Sequence, residues 1–208
     1  MTAFLSKFLL YGLLVSHVDA YRIPVGSIAA FSYQGVNVCT AFSVNEQLGY
    51  WATASHCFRS QDDAPELSIQ GYPVDLVMDN PIADVAVFRG LRTTGLKVSN
   101  DQPYAWTPVF KYGYGNGWPV AWNSSGRFTD TVLMNPLLGH PVILFDLDLK
   151  PGDSGGPIML YDNTVVSMSE LIFNGERTKQ FNERGIKNPS GGPDTETLYE
   201  VLSPYLPK

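Results

Sequence analysis

Cysteine, histidine and basic side chains are all scarce in this chain of 208 residues, and each scarcity closes off a class of function. Two cysteines and three histidines do not furnish the clusters of a zinc domain, which takes three or four ligands per ion. No metal or organic cofactor is called for. Cys39 and Cys57 have no other cysteine to compete for them. In an oxidising compartment they pair and close a loop, stabilising the fold by about 3 kcal/mol; two buried free thiols are the alternative. Lysine and arginine number 14 against 20 aspartates and glutamates, for a net charge of −6. Without a basic stripe the chain is a poor holder of nucleic acid, whose affinity comes mainly from phosphate neutralisation. The same shortage argues against an electrostatic membrane anchor. Long apolar runs are missing as well: Phe8–Val18 falls well short of the ~20 residues a bilayer span needs. Protein or peptide substrates are the partner class that remains, met by a chain read as a monomer.

What is present begins with a targeting pattern. Lys7 closes a short n-region, Phe8–Val18 supplies an apolar stretch, and Val18-Asp19-Ala20 places small residues at −3 and −1 of a signal-peptidase site. Residues 1–20 therefore read as a signal peptide cleaved before Tyr21, giving a secreted protein. A membrane tether through an uncleaved N-terminal anchor is the alternative.

From Tyr21 on, hydrophobic residues (44% of the chain) occur in short runs punctuated by 19 glycines and 15 prolines. That pattern suits many short strands rather than a helical bundle. One set of strands covers residues 27–33, 38–44, 49–53, 67–69, 73–78 and 85–88. A second covers 108–112, 127–134, 142–147 and 157–161, with 164–173 completing a hairpin. The polar stretch Leu91–Pro103 lies between the sets. The expectation is an all-β protein of two six-stranded antiparallel barrels, residues 21–95 and 96–208. Glu176–Asp194 reads as a loose loop, and Thr195–Leu202 as a short C-terminal amphipathic helix with Thr195 as N-cap.

Three short segments carry chemistry. Gly152-Asp-Ser-Gly-Gly-Pro157 has a chance occurrence on the order of one in ten million per position. A serine nucleophile belongs on a tight turn whose backbone N–H groups converge on a developing oxyanion, and glycines let a substrate carbonyl come close. Ala52-Thr-Ala-Ser-His-Cys57 supplies a histidine, the side chain best matched to proton transfer near neutral pH. His140, in Leu138-Gly-His-Pro141, reads instead as a surface turn residue. Ile82-Ala-Asp-Val-Ala-Val-Phe88 places Asp84 at the head of an apolar strand, where burial is tolerable only with hydrogen-bonded partners. Asp75 and Asp79 are rivals that begin no such strand. The aromatics Tyr112, Tyr114, Trp118 and Trp122 around Gly113–Gly117 read as core or substrate-wall residues.

Taken together these segments resemble the chymotrypsin-like (trypsin-family) serine peptidases. Thr53-Ala-Ser-His-Cys57 is similar to that family's Thr-Ala-Ala-His-Cys box, with Ser55 in place of the second alanine. Asp84-Val-Ala-Val is similar to its Asp-Ile-Ala-Leu box, and Gly152–Pro157 matches its serine box without change. The resemblance spans residues 27–175 and implies a serine endopeptidase with a His56, Asp84, Ser154 triad. It further implies an oxyanion hole from the N–H groups of Gly152 and Ser154, and a disulfide between Cys39 and Cys57 beneath the histidine loop. Asp148 falls where trypsin-like members place the acidic floor of the primary specificity pocket, implying cleavage after Arg or Lys. The opposite pocket wall falls at Ser167–Glu170, with Ser169 as the substrate-binding candidate. Lys150-Pro151-Gly152 is closer to the compact bacterial Deg-type and viral branches. Because Arg22-Ile-Pro-Val-Gly26 is only a loose echo of a zymogen activation end, Asp153 is expected to find a partner other than a freed chain terminus. The competing class is a non-catalytic homologue acting as a binding module. Such proteins usually lose a triad member, and none is missing here.

Overall fold

The computed structural model describes residues 26–59, 66–118, 121–134 and 139–208. The candidate signal segment and all but Gly26 of Arg22–Gly26 lie outside the described residues. In the first half the strands are β1 Ile28–Tyr33, β2 Val36–Asn45, β3 Tyr50–Ala54, β4 Leu67–Ile69, β5 Tyr72–Pro73, β6 Asp75–Asn80 and β7 Val85–Arg89. A single turn of helix, α1 His56–Arg59, follows β3. The second half holds β8 Pro108–Gly113, β9 Trp122–Met134, β10 Pro141–Asp146, β11 Pro157–Met159, β12 Val165–Met168, β13 Leu171–Ile172 and β14 Pro189–Pro193. Two further α-helices among the described residues are α2 Glu176–Glu183 and α3 Thr195–Leu202.

The strands form two antiparallel sheets, ordered β5-β4-β1-β2-β3-β7-β6 and β12-β11-β8-β9-β10-β14-β13. This is the chymotrypsin-like, nearly all-β fold expected, with seven strands per sheet rather than six. The extra strands have local causes. The stretch expected as one strand over 73–78 breaks at Val74, whose N–H turns back to the Leu67 carbonyl at 3.3 Å. The stretch 164–173 breaks at Ser169 and Glu170, where the chain leaves β11 to pair with β14: Ser169 N–H donates to Gly156 (2.8 Å) and Glu170 N–H to Gly191 (3.0 Å).

Three other expectations are corrected. Glu176–Asp194 is not a loose loop: it contains α2 and β14, the latter buried between β10 and β13. Phe181 anchors α2 against Leu144, Ile186 and Phe173, and as the one buried side chain of the helix it leaves no periodic stripe in the sequence. The N-cap of α3 is Asp194, whose Oδ1 accepts the Thr197 N–H at 2.8 Å. Thr195 is instead the first residue inside the helix, and its hydroxyl donates to the Val166 carbonyl at 2.8 Å. His140 is buried, not a surface residue, and its ring faces Glu170.

The core around Phe31, Phe42, Trp51 and Phe88 continues without a break into Met159, Val165 and Met168 of the second half and Leu198 and Leu202 of α3. A separate cluster of Val109, Phe128, Ile143, Phe145 and Ile158 fills the second sheet. Full burial of each such side chain contributes about 1.5–3 kcal/mol. No helix among the described residues is long and apolar enough to cross a membrane.

Candidate active site

His56 opens α1 as the chain leaves β3, and Asp84 stands at the start of β7, which pairs with β3. The pairing brings the two together: Asp84 Oδ1 accepts the His56 backbone N–H at 2.8 Å and Oδ2 lies 2.6 Å from Nδ1. A carboxylate only accepts, so the imidazole carries its proton on Nδ1 and presents Nε2 as the free base. Ser55 N–H ties down the Asp84 carbonyl at 3.0 Å. Asp84 sits at φ +54°, a left-handed conformation that costs on the order of 1–3 kcal/mol and persists only where its surroundings enforce it. The side chains differ in access, with His56 44% exposed and Asp84 2%.

The rival acids are elsewhere. Asp79 accepts the Ser55 hydroxyl at 2.5 Å, which is the role of the serine standing where the family box has alanine. Asp75 makes an exposed pair with Arg89 at 3.3 Å.

Burial drags the His56 pKa down, but the hydrogen bond and charge of Asp84, with a further contribution from Glu170, outweigh it and leave the imidazole above its ordinary value. Glu170 belongs to a second, fully buried pair with His140 at 3.1 Å. Burial likewise lowers the His140 pKa, and the Glu170 bond and charge, the Pro141 carbonyl and the charge of Asp84 raise it overall.

Ser154 comes from the second sheet on the turn before β11. Its carbonyl accepts the Thr40 N–H at 2.9 Å and lies 3.8 Å from Sγ of Cys57, the neighbour of His56. Cys57 is bonded to Cys39, so the helix turn carrying His56 is stapled to β2. The next residue shows how tightly this turn docks on the first sheet. A Cβ at Gly155 would sit 2.2 Å from Thr53 Oγ1 and 2.4 Å from the Thr40 carbonyl, at φ +79°. Only glycine fits there. The Gly152 carbonyl accepts the Thr40 hydroxyl at 2.9 Å, and that hydroxyl accepts the Tyr114 N–H at 2.9 Å.

The remaining sequence candidates fall as follows. Ser169 is buried; its carbonyl receives the Gly155 N–H at 2.8 Å, and its hydroxyl has no hydrogen-bond partner among the described residues. Asp148 is half exposed, its carbonyl held by Ser124 Oγ and its Oδ1 bonded to Lys150 Nζ, both at 2.7 Å. Asp153 has found its other partner: Lys111, a wholly buried lysine on β8. Cys39, His56 and Cys57 bring ligand-type atoms within 4.8 Å of one another, but the disulfide consumes both thiols and leaves one imidazole.

Lys111 was missed from the sequence, as was the pairing of His140, read there as a surface residue, with Glu170, read there as the end of the pocket wall. A lysine inside the apolar strand Pro108–Gly113 was the available signal for the first. His140 and Glu170 lie 30 residues apart and carry no local signal.

No curated protein matches the chain. Solved structures do. The Rv3671c protease of M. tuberculosis in its inactive form superposes with a TM-score of 0.67 at 16% identity, covering 86% of this chain and 88% of that one. A serine endoprotease from Yersinia pestis gives 0.67 at 14% identity over 87% of this chain and 63% of its own. The HtrA-type protease AlgW, with a decapeptide, gives 0.65 at 15% identity over 86% and 64%. At such identities the likeness speaks for the fold. The sequence profile of the trypsin-like peptidase domain adds the lineage. It matches residues 39–168, well over half of the chain and the stretch holding His56, Asp84 and Ser154, so the protein belongs to the trypsin-like peptidase family.

Proposed function

We propose that this serine endopeptidase works through Ser154, His56 and Asp84, and that it acts outside the cell once residues 1–20 are removed. The observation that carries the reading is the grip of one buried carboxylate on both the backbone and the ring of His56, beside a serine turn docked at Cys57. The Cys39–Cys57 bond suits an oxidising compartment.

In the proposed reaction Ser154 Oγ attacks the scissile carbonyl while His56 Nε2 takes its proton and returns it to the leaving amine. Water then releases the acyl group by the same relay in reverse. Asp84 fixes the Nδ1–H tautomer and stabilises the imidazolium. The N–H groups of Gly152 and Ser154 receive the oxyanion; among the described residues no protein acceptor takes either of them. A fluorophosphonate probe tests this on the whole protein. Labelling is expected at Ser154, with loss in His56→Ala, and Ser154→Ala or His56→Ala should lower kcat by about 10⁶. A folded wild-type protein that is neither labelled nor able to cleave unfolded protein substrates overturns the reading.

For specificity we propose a modest preference for Arg or Lys at the cleaved bond, centred on Asp148. That residue lines a cavity of about 180 Å³ with Leu149, Ile172, Phe173 and Ser190. Lys150 already occupies its carboxylate and Lys187 lines the same cavity, so a basic substrate side chain competes with resident cations. Lys150→Ala should therefore raise kcat/KM for Arg substrates roughly tenfold, about 1.4 kcal/mol, and Asp148→Ala should abolish the preference. Peptide-library cleavage that keeps the preference in Asp148→Ala removes Asp148 from the pocket.

A further inference from the structure

Asp153 takes no part in the proton relay, yet it is 1% exposed and lies between the two residues whose N–H groups are assigned to the oxyanion. A buried carboxylate persists only where its charge and lone pairs are met. Three donors meet this one. Lys111 Nζ and the Lys150 N–H (2.7 Å) reach Oδ2, and Trp122 Nε1 reaches Oδ1 at 3.0 Å. The Lys111 ammonium is itself wholly buried and lies 3.3 Å from the centre of the Trp122 ring, so its charge is shared between a carboxylate and an aromatic face. The surrounding backbone is shaped to admit the acid: a Cβ at Gly113, two residues after Lys111, would stand 2.4 Å from Asp153 Oδ1.

The same residue is tied through its main chain. Asp153 N–H donates to Lys150 at 2.9 Å, its carbonyl accepts Gly156 N–H at 2.8 Å, and Asn116 N–H holds the Pro151 carbonyl at 2.5 Å. With side chain and backbone both fixed, the peptide planes that carry the Gly152 and Ser154 N–H groups have little freedom to turn away.

We propose that Lys111 is a positioning residue for hydrolysis, an internal cation that pins Asp153 and so keeps the Gly152 and Ser154 N–H groups converged without a charged group delivered from a cleaved chain end. The proposal rests on the reading of Gly152 and Ser154 as the oxyanion site. Titration supports it. Burial lowers the Lys111 pKa to about 8, against the raising influence of the Asp153 bond and charge and of Asp148, with the charge of Lys150 lowering it further. The ion pair is thus intact below about pH 8 and lost as pH rises through that value, which adds an alkaline limb to activity.

The test is Lys111→Met alone and together with Asp153→Asn, in the full chain. Lys111→Met should lose about 10²–10³ in kcat, the worth of an oxyanion donor, with KM little changed. The double variant leaves no buried charge unpaired; it should fold, recover part of kcat and lose the alkaline limb. A folded Lys111→Met with wild-type kcat, or a double variant that keeps both wild-type kcat and the limb near pH 8, overturns the proposal. Hydrogen exchange separates this from failure of the functional reading. If the wild type hydrolyses nothing, that reading falls. Faster amide exchange confined to residues 150–156 in the double variant still supports the positioning role, and unchanged exchange there refutes it.

Discussion

At His56 two influences of opposite sign meet, and the pH profile reports which prevails. Burial favours the neutral ring, whereas Asp84 and Glu170 favour the imidazolium; the acids win, so the folded-state pKa lies above 6.5. In the proposed relay only the neutral ring accepts the Ser154 proton, so activity is expected to fall as pH drops through that raised value. The acid limb of kcat/KM should therefore lie above the pH of about 6.5 that an unperturbed histidine suggests. Asp84→Asn removes the dominant charge; it should move the limb of the residual activity downward and cost about 10⁴ in kcat by spoiling the tautomer. A limb that stays in place in Asp84→Asn would detach Asp84 from His56. The residues of the proposed relay were legible as candidates because each lies in a short segment with a signal of its own: a rare glycine-rich hexamer, a histidine beside a cysteine, an aspartate at the head of an apolar strand. Lys111, His140 and Glu170 were not, because what makes them unusual is burial opposite a partner distant in sequence. His140 shows the difficulty: between a glycine and a proline it reads as a turn on the surface, yet its ring is enclosed by Glu170 and the Pro141 carbonyl.

Among the elements, legibility followed how far a strand's own side chains decide its state. β1, β2, β3 and β7 carry apolar runs that bury almost entirely, and their positions were readable to within a residue or two. β14, with the sequence Pro-Ser-Gly-Gly-Pro, contains nothing that favours a strand by propensity. It forms because β10 and β13 offer two ladder edges, and the Ser190 hydroxyl adds a bond of 2.9 Å to the Leu147 carbonyl. β13 is only two residues long, and it marks where the chain stops pairing with β11 and crosses to β14. That crossing sets Ser169 against the serine turn. Tertiary pairing also explains why the long strand β9 starts at Trp122 rather than Arg127: its first residues answer β8 one for one, from Pro108–Arg127 to Gly113–Trp122. The register brings Trp122 under Lys111, so an element boundary invisible in the sequence places the ring that the buried ammonium rests on.

The molecule as a whole behaves as one cooperative body if the joint between its halves is as stiff as its contacts require. The proposed site depends on that joint, since His56 and Asp84 come from one sheet and Ser154 from the other. Thr40 bonds across it to Gly152, Ser154 and Tyr114. α3 packs over both β7 and β12 with Leu198 fully buried in the shared core. Leu198→Ala deletes apolar contact at a helix that touches both halves. It should cost about 2–5 kcal/mol. In a chain of this size that lowers Tm by roughly 4–20 °C. Because the core is continuous, far-UV circular dichroism and tryptophan fluorescence should still report coincident transitions, with Trp51 in the first half and Trp122 in the second. Below that lowered Tm, fluorophosphonate labelling should stay at the wild-type rate and then vanish together with the folded signal. Two separated transitions, or loss of labelling well before either half unfolds, would mean that the sheets are independent units and that the catalytic cleft is held by something other than this common core.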